Sequence, residues 1–350
     1  MKEMQTELGY ILATMREIIE IDSPTGFCST VADKVIEIVR EMGYSVRKTN
    51  KGSVEIDIKG ENCGETTKKL VGIASHLDTL GAVVRAVDDS GGIKFSTVGG
   101  LNLATCDGEY CRIYTRDGRF YTGTFLSNHA SVHVYSDAKT LARDAANMYI
   151  RLDEKLKTAQ DVHNLGVENG DFIALDTKFT VTDSGFVKSR FLDDKASVAV
   201  ILAALKTLSD KKQKPKYDTR VILTVYEEVG HGAASCGEGL SEVLAIDMGC
   251  VGGDLKGDEY NVSICAQDAS GPYDYEFTSR LINLAKKHEI GYVVDVFPFY
   301  ASDVSAMLRG GRDVKGALIG SGIHASHGME RAHVDGLLGT YRLVMAYLTD

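Results

Sequence analysis

The stretch KLVGIASHLD (residues 69–78) runs apolar from Leu70 to Ala74 and then stops at Ser75, His76 and Asp78. A continuous apolar run of this length suits a strand buried on both faces, in a sheet covered by helices on each side. Upstream, the chain reads helix, helix, strand: helices over 7–21 and 28–42, then the alternation of SVEIDIKG (53–60). Ser23-Pro24-Thr25-Gly26 breaks the two helices with proline and glycine in turn roles.

Downstream the texture changes. From 80 to 180, short alternating pieces such as GAVVRAV, GIKFSTVGG, YCRIYTRDGRFYTGTFL, DFIALD and KFTVTDSGFVKS are separated by glycine and aspartate turns. Asp117-Gly118 between strand-like flanks signals a hairpin. One helix is expected over 138–156. This is the pattern of a small β-rich barrel or sandwich. After 190 the βα alternation returns. RFLDDKASVAVILAAL (190–205) opens a helix over 196–208, TRVILTVYEEVG and EVLAIDMGCV read as strands, and KGALIGSG is a late strand before a final helix over 337–348. The expected organisation is one α/β domain built from 1–79 and 181–350, with a β-rich module, 80–180, inserted between them.

Composition narrows the partners. The chain has 350 residues, 49 acidic against 39 basic, and a net charge of −10. That balance speaks against nucleic acid and anionic membranes. The lysines at 211, 212, 214 and 216 read as a solvated loop. No apolar stretch approaches the roughly 18–20 residues needed to span a bilayer, and the N-terminus lacks the apolar core and cleavage site of a signal peptide. Seven cysteines without CxxC spacing, an odd number, fit a reducing, cytoplasmic setting.

The apolar strands share one property: each ends in metal-binding chemistry. The run at 70–74 leads to His76 and Asp78, the next to Glu227 and Glu228, and the third to Asp247. The last leads to His324, His327 and His333, while Asp193 and Asp194 stand before a helix. Alone, each has an ordinary explanation: a satisfied core pair, a solvated acidic pair, a helix first turn. In open α/β sheets, however, ligands bind beyond the carboxyl ends of strands, so these groups converge at one edge. Imidazoles and carboxylates without thiolates suit zinc, cobalt or manganese rather than calcium. The number of ligands suggests two ions with one bridging aspartate, as in aminopeptidases and phosphatases. A carboxylate left over can serve as general base, a reason for two adjacent glutamates.

Taken together, ASHLDTLG, FLDDKAS, YEEVGHGAAS, AIDMG, GPYDYEF, SDVSAM and HASHGMER resemble the glutamyl aminopeptidase and cellulase M-like dinuclear metallo-aminopeptidases, which include the tetrahedral (TET) aminopeptidases. The resemblance spans nearly the whole chain. It implies an α/β fold: a mixed-sheet, phosphorylase/hydrolase-like three-layer catalytic domain carrying a small inserted barrel-like domain. It implies metal ligands His76, Asp193 (bridging), Glu228 and Asp247, with Glu227 as general base and Asp78 orienting His76. Asp194 would support or cap. For the last ligand, where family members show His-Ser-x-x-Glu, the resemblance favours His327, the histidine nearest the Ser-x-x-x-Glu context, over His324. Ser302-Asp303 and Gly271-Pro272 are expected along the substrate cleft. The implied activity is removal of N-terminal residues from peptides with two divalent ions, zinc or cobalt first and manganese third. The implied state is a homo-oligomer, up to a dodecamer. Related dinuclear carboxypeptidases, dipeptidases and deacylases share the motif order, and a non-catalytic metal-binding scaffold is the reading from a different class.

Overall fold

The computed structural model describes residues 2–61 and 69–350. The chain opens with α1 (Lys2–Ile19) and α2 (Ser29–Glu41), followed by β1 (Val46–Lys48), β2 (Val54–Ile58) and β3 (Leu70–His76). It then leaves the main sheet to form β4 (Gly81–Val87), β5 (Ile93–Val98), β6 (Tyr110–Tyr114), β7 (Phe120–Ser127), β8 (Met148–Leu152), α3 (Ala159–Asn164) and β9 (Phe172–Leu175). The hairpin β10 (Thr180–Val181) and β11 (Phe186–Ser189) leads back to α4 (Leu192–Asp210) and β12 (Asp218–Thr224). Next come β13 (Glu242–Ile246), β14 (Gly249–Cys250), β15 (Val262–Asp268), β16 (Gly271–Pro272), α5 (Tyr275–Lys287) and β17 (Tyr292–Val296). The chain ends with α6 (Asp303–Arg309), β18 (Lys315–Ile323), β19 (Glu330–His333) and α7 (Val334–Thr349).

The main sheet runs β1-β2-β12-β3-β13-β18-β15-β16, and its centre, β12-β3-β13-β18, is parallel. Both faces are covered, and the pleat sorts the side chains. Val221, Leu223, Leu244, Ile246, Ala317 and Ile319 join α1, α2, α4, α5 and α7 in one core. Ile222, Val243, Ala245 and Leu318 face Val304 and Met307 of α6 on the other side. Alternate residues of a strand point to opposite faces, so strands apolar at every position need a layer on each side. α4 packs between α1, α7 and β3 and is buried along nearly its whole length. Its lack of a polar face, legible in ASVAVILAAL, is that of a helix enclosed on all sides.

Between β3 and β10 the strands close into a barrel, β4-β5-β8-β7-β6-β9, with its own core around Phe95, Phe125, Ile113 and Ile173. The Asp117-Gly118 turn joins β6 to β7, with Gly118 at φ +85°. The helix expected over 138–156 is not there. Met148, Ile150 and Leu152 point inward and their neighbours outward as β8, a period of two that closes the barrel between β5 and β7. Before it, the Asp144 carboxylate accepts the backbone N–H groups of Ala146 and Asn147, a local side-chain bond that competes with helix. The short helix of this region lies later, at α3, behind a Thr158–Asp161 capping box. The KFTVTDSGFVKS segment also departs from expectation: β10 pairs with β11, and β11 with β19, in a separate three-stranded sheet rather than in the barrel.

Candidate metal centre

Parallel pairing sets the site. Thr224 of β12 lies opposite His76 of β3, and Ile246 of β13 opposite Ile319 of β18. The residues that follow these strand ends, Asp78, Glu227, Glu228 and Asp247, therefore emerge at one edge, and the turn after β18 brings His327 there. Asp193 and Asp194 arrive from the start of α4, where the backbone is not yet helical.

Asp193 lies at the centre. Its Oδ1 is 3.2 Å from His76 Nε2, and its Oδ2 is 3.7 Å from His327 Nε2. Each oxygen thus faces a different imidazole. Glu228 Oε2 stands 3.8 Å from His327 Nε2, and Glu227 Oε2 stands 3.8 Å from His76 Nε2. Candidate ligand atoms of His76, Asp193 and Glu228 lie within 4.8 Å of one another, as do those of His76, Asp194 and Asp247. His324 is exposed; its backbone pairs with Arg331 and no contact ties it to the cluster. His333 caps α7 by accepting the Asp335 N–H.

The tautomers of both facing histidines are set from behind. His76 Nδ1 bonds the Asp78 carbonyl at 2.9 Å, and His327 Nδ1 bonds the Gly100 carbonyl at 2.9 Å. A carbonyl can only accept, so Nδ1 carries the proton and Nε2 presents a lone pair to the site. Asp78 thus orients His76 through its backbone. Its carboxylate has another task, accepting Thr25 Oγ1 (2.6 Å) and the backbone N–H groups of Glu227 (3.2 Å) and Glu228 (3.3 Å). It holds the turn that presents both glutamates. Asp194 stands in the first turn of α4 and supports His76 from behind. Its Oδ2 accepts the Ser75 hydroxyl and the His76 N–H, tying α4 to β3.

Two further carboxylates support the site: Glu330, which the sequence reading did not single out, and Asp303, which it expected along the substrate cleft. Glu330 is buried and accepts the backbone N–H of Asp193 (3.1 Å) and of His327 (3.2 Å). Asp303 is buried and accepts Thr224 Oγ1 and the Ala233 N–H, bracing the segments on either side of the two glutamates. Asp303 is therefore a brace at the site, with Ser302 as the N-cap of α6. Gly271-Pro272 is displaced from the expected cleft: Pro272 lines a cavity of about 670 Å³ with Lys69, Glu242 and Lys315, at the amino ends of β3, β13 and β18. That is the opposite edge of the sheet from the histidines. Glu330 sits between Met329 and Arg331 with nothing in its neighbours to mark it, and the Asp193 N–H it serves lies far away in the chain.

The electrostatics expose a deficit. Among the described residues, no lysine or arginine is ion-paired with Asp193, Asp194, Glu227, Glu228, Asp247, Asp303 or Glu330. The cations flanking the aspartates turn away. Arg190 donates to the carbonyls of Thr105 and Gly328, and Lys195 Nζ donates to those of Ile18 (2.8 Å) and Ile21 (2.7 Å). Burial, then the Asp193 charge, lifts the Glu228 carboxyl well above its ordinary range and Asp247 up to about 7. Burial, then the Asp247 charge, lifts Asp194 likewise. For His76 burial opposes charge, but Asp193, Glu227, Asp194 and Asp247 outweigh it and raise its pKa well above normal. Buried Asp194 Oδ1 and Glu228 Oε1 have no protein partner. Unpaired carboxylate oxygens at such cost call for cations, and the oxygen and imidazole donors present fit divalent transition metals.

The whole arrangement lies within a known sequence pattern. Residues 52–343 match the family described as M42 glutamyl aminopeptidase. The chain belongs to that family. The M42 assignment agrees with a relative from Bacillus subtilis, "Putative aminopeptidase YhfE", which is 39% identical over 344 residues and covered to 98% in both chains. Among solved structures, the aminopeptidase APDkam598 from the archaeon Desulfurococcus kamchatkensis superposes with a TM-score of 0.86 at 23% identity, over 98% of this chain and 95% of that one. The Pyrococcus horikoshii TET1 peptidase superposes with a TM-score of 0.84 at 21% identity, over 97% and 99%. These two share the fold. As an M42 member the chain is a peptide hydrolase of an aminopeptidase family, and no described helix is long and apolar enough to cross a membrane.

Proposed function

We propose that the chain is a dinuclear metal-dependent aminopeptidase with Glu227 as general base. The observation that carries this reading is Asp193, whose two oxygens face His76 and His327 separately. One ion would be held by His76, Asp193 and Asp247, with Asp194 close by, and the other by Asp193, Glu228 and His327. Zinc, cobalt and manganese fit these donors. Bound there, the ions would polarise the scissile carbonyl and acidify a water at neutral pH.

The chain's own residues do the rest. Glu227 is the carboxylate left over from the ligand set, and the Asp78-braced turn fixes it beside His76. It takes a proton from the attacking water and delivers it to the departing amine, so the amide C–N bond breaks as the new C–O bond forms. The surplus of carboxylates favours a substrate that brings a positive charge, and a free α-ammonium supplies it next to the first peptide bond. Exopeptidase cleavage from the N-terminus follows.

Replacing Glu227 by Gln preserves shape and removes the base. Hydrolysis of aminoacyl-p-nitroanilides should fall by about 10²–10⁴-fold with metal content near wild type. Wild-type turnover would reassign the base, and turnover lost together with the metals would make Glu227 a ligand. The Pyrococcus horikoshii TET1 peptidase can assemble into a tetrahedron or a large octahedral shell. By likeness we extend homo-oligomerisation, up to a dodecamer, to this chain, with the barrel of the 80–180 insertion as the contact module. Light scattering of a monomer would remove that part. The six described cysteines are all free, which supports a reducing, cytoplasmic setting; Cys63 lies outside the described residues.

A further inference from the structure

His327 is the least enclosed member of the cluster. Its side chain is 38% exposed, against 1% for His76 and 3% for Glu228. It also sits on a turn with a left-handed backbone, φ 63°, unlike the strand end that carries His76. A ligand on such a turn needs outside help to stay in place, and the structure supplies it from two directions.

The first is Glu330, at the start of β19, whose neighbour across the ladder is Ser189 of β11. Its Oε2 accepts the Asp193 N–H and its Oε1 accepts the His327 N–H. One carboxylate thus measures the distance between the backbones of two residues that face each other across the site. The second is the inserted barrel domain. The segment after β5 returns to the catalytic domain, where the Gly100 carbonyl takes the His327 Nδ1 proton and the Asn102 N–H donates to the His327 carbonyl at 3.2 Å. Arg190, fully buried, fastens the adjoining Gly328 carbonyl to Thr105 of the same barrel segment.

We propose that Glu330 and the Gly100–Asn102 segment of the inserted domain are positioning elements that set the place of His327 relative to Asp193, and so the affinity of the ion those two share with Glu228. The proposal rests on the dinuclear reading above. It gives the inserted domain a direct role in the metal centre, through its hold on His327. Glu330 acts through the main chain of the ligands and needs no contact with substrate.

Two variants probe the two supports independently. Glu330→Gln keeps the shape but leaves one amide oxygen for two N–H groups, with an NH₂ facing the other. Gly100→Ala would place a Cβ 3.0 Å from His327 Nδ1 and 3.3 Å from Cε1, at a position whose φ is not left-handed. Full-length protein stripped of metal is titrated with cobalt(II), read by bound cobalt per chain and by the cobalt absorption spectrum. Wild type should take up two ions per chain. Gly100→Ala should bind the first as wild type does and the second about 10–100-fold more weakly, and Glu330→Gln, which also loosens the bridging Asp193, should weaken the second more than the first, with kcat recovering at high cobalt and KM unchanged in both. Variants that bind both ions with wild-type affinity overturn the positioning proposal alone, as do variants that lose both ions equally. Wild-type protein that saturates with a single ion overturns the dinuclear reading and this proposal with it. If Glu330→Gln fails to fold, Gly100→Ala carries the same test.

Discussion

Asp78→Asn is a small change with a computable consequence. In the structure Asp78 Oδ1 accepts the Glu227 N–H at 3.2 Å, while Oδ2 accepts Thr25 Oγ1 at 2.6 Å and the Glu228 N–H at 3.3 Å. Asparagine has one acceptor oxygen and one NH₂. Placed either way, the NH₂ meets one of the two glutamate N–H groups, donor against donor, and Thr25 alone can adapt by rotating its hydroxyl. Asp78 is fully buried, so no water relieves the mismatch. One buried, unsatisfied donor costs about 1–3 kcal/mol, which in a chain of 350 residues is a fall in Tm of about 1–4 °C. The effect on activity should be larger, since the displaced turn carries both the general base and a metal ligand: kcat should drop about 10–100-fold. His76 should be spared, because its Nδ1 bonds the Asp78 backbone carbonyl, which the substitution keeps. The assay pairs thermal unfolding with initial rates on leucyl-p-nitroanilide and metal content by mass spectrometry. Wild-type Tm and kcat in this variant would refute the claim that the Asp78 carboxylate holds the glutamate turn.

Two further outcomes follow from the same geometry. His327→Ala should lose about one ion per chain and most of its activity, whereas His324→Ala should keep both; equal metal loss in the two would show that the 324–327 turn is placed differently. In metal-free protein the carboxyls of Asp194, Glu228 and Asp247 have pKa values raised by burial and then by a neighbouring carboxylate, Asp247 for Asp194 and Asp193 for the other two, to about 7 for Asp247. A raised folded-state pKa means the native state binds more protons than the unfolded chain. Its stabilising effect is complete below the ordinary carboxylate pKa and is lost as pH rises through the raised values. Chelator-treated protein should therefore melt at falling temperatures from about pH 5 to pH 8, and added zinc should restore the loss; a flat or rising Tm without metal would contradict the charge deficit.

The sequence by itself determined the layers and the edge where chemistry gathers. Strands apolar at every position demand helices on both faces, and a parallel sheet so covered leaves its polar residues only where strands end, which is where His76, Glu227, Glu228 and Asp247 stand. Its αβ order also marked the inserted module, through Asp117-Gly118 and alternating runs. Tertiary structure alone decided the rest, because the deciding partners are backbone groups remote in the chain. Met148–Leu152 became a strand since the barrel needed an edge between β5 and β7, a demand that outweighed local helix preference. His327 rather than His324 faces Asp193 because Gly100 and Asn102, more than 200 positions earlier, receive its ring and carbonyl. Glu330 and the Asp78 carboxylate work on N–H groups, and every residue except proline has one, so no pattern of side chains could announce which N–H they would find.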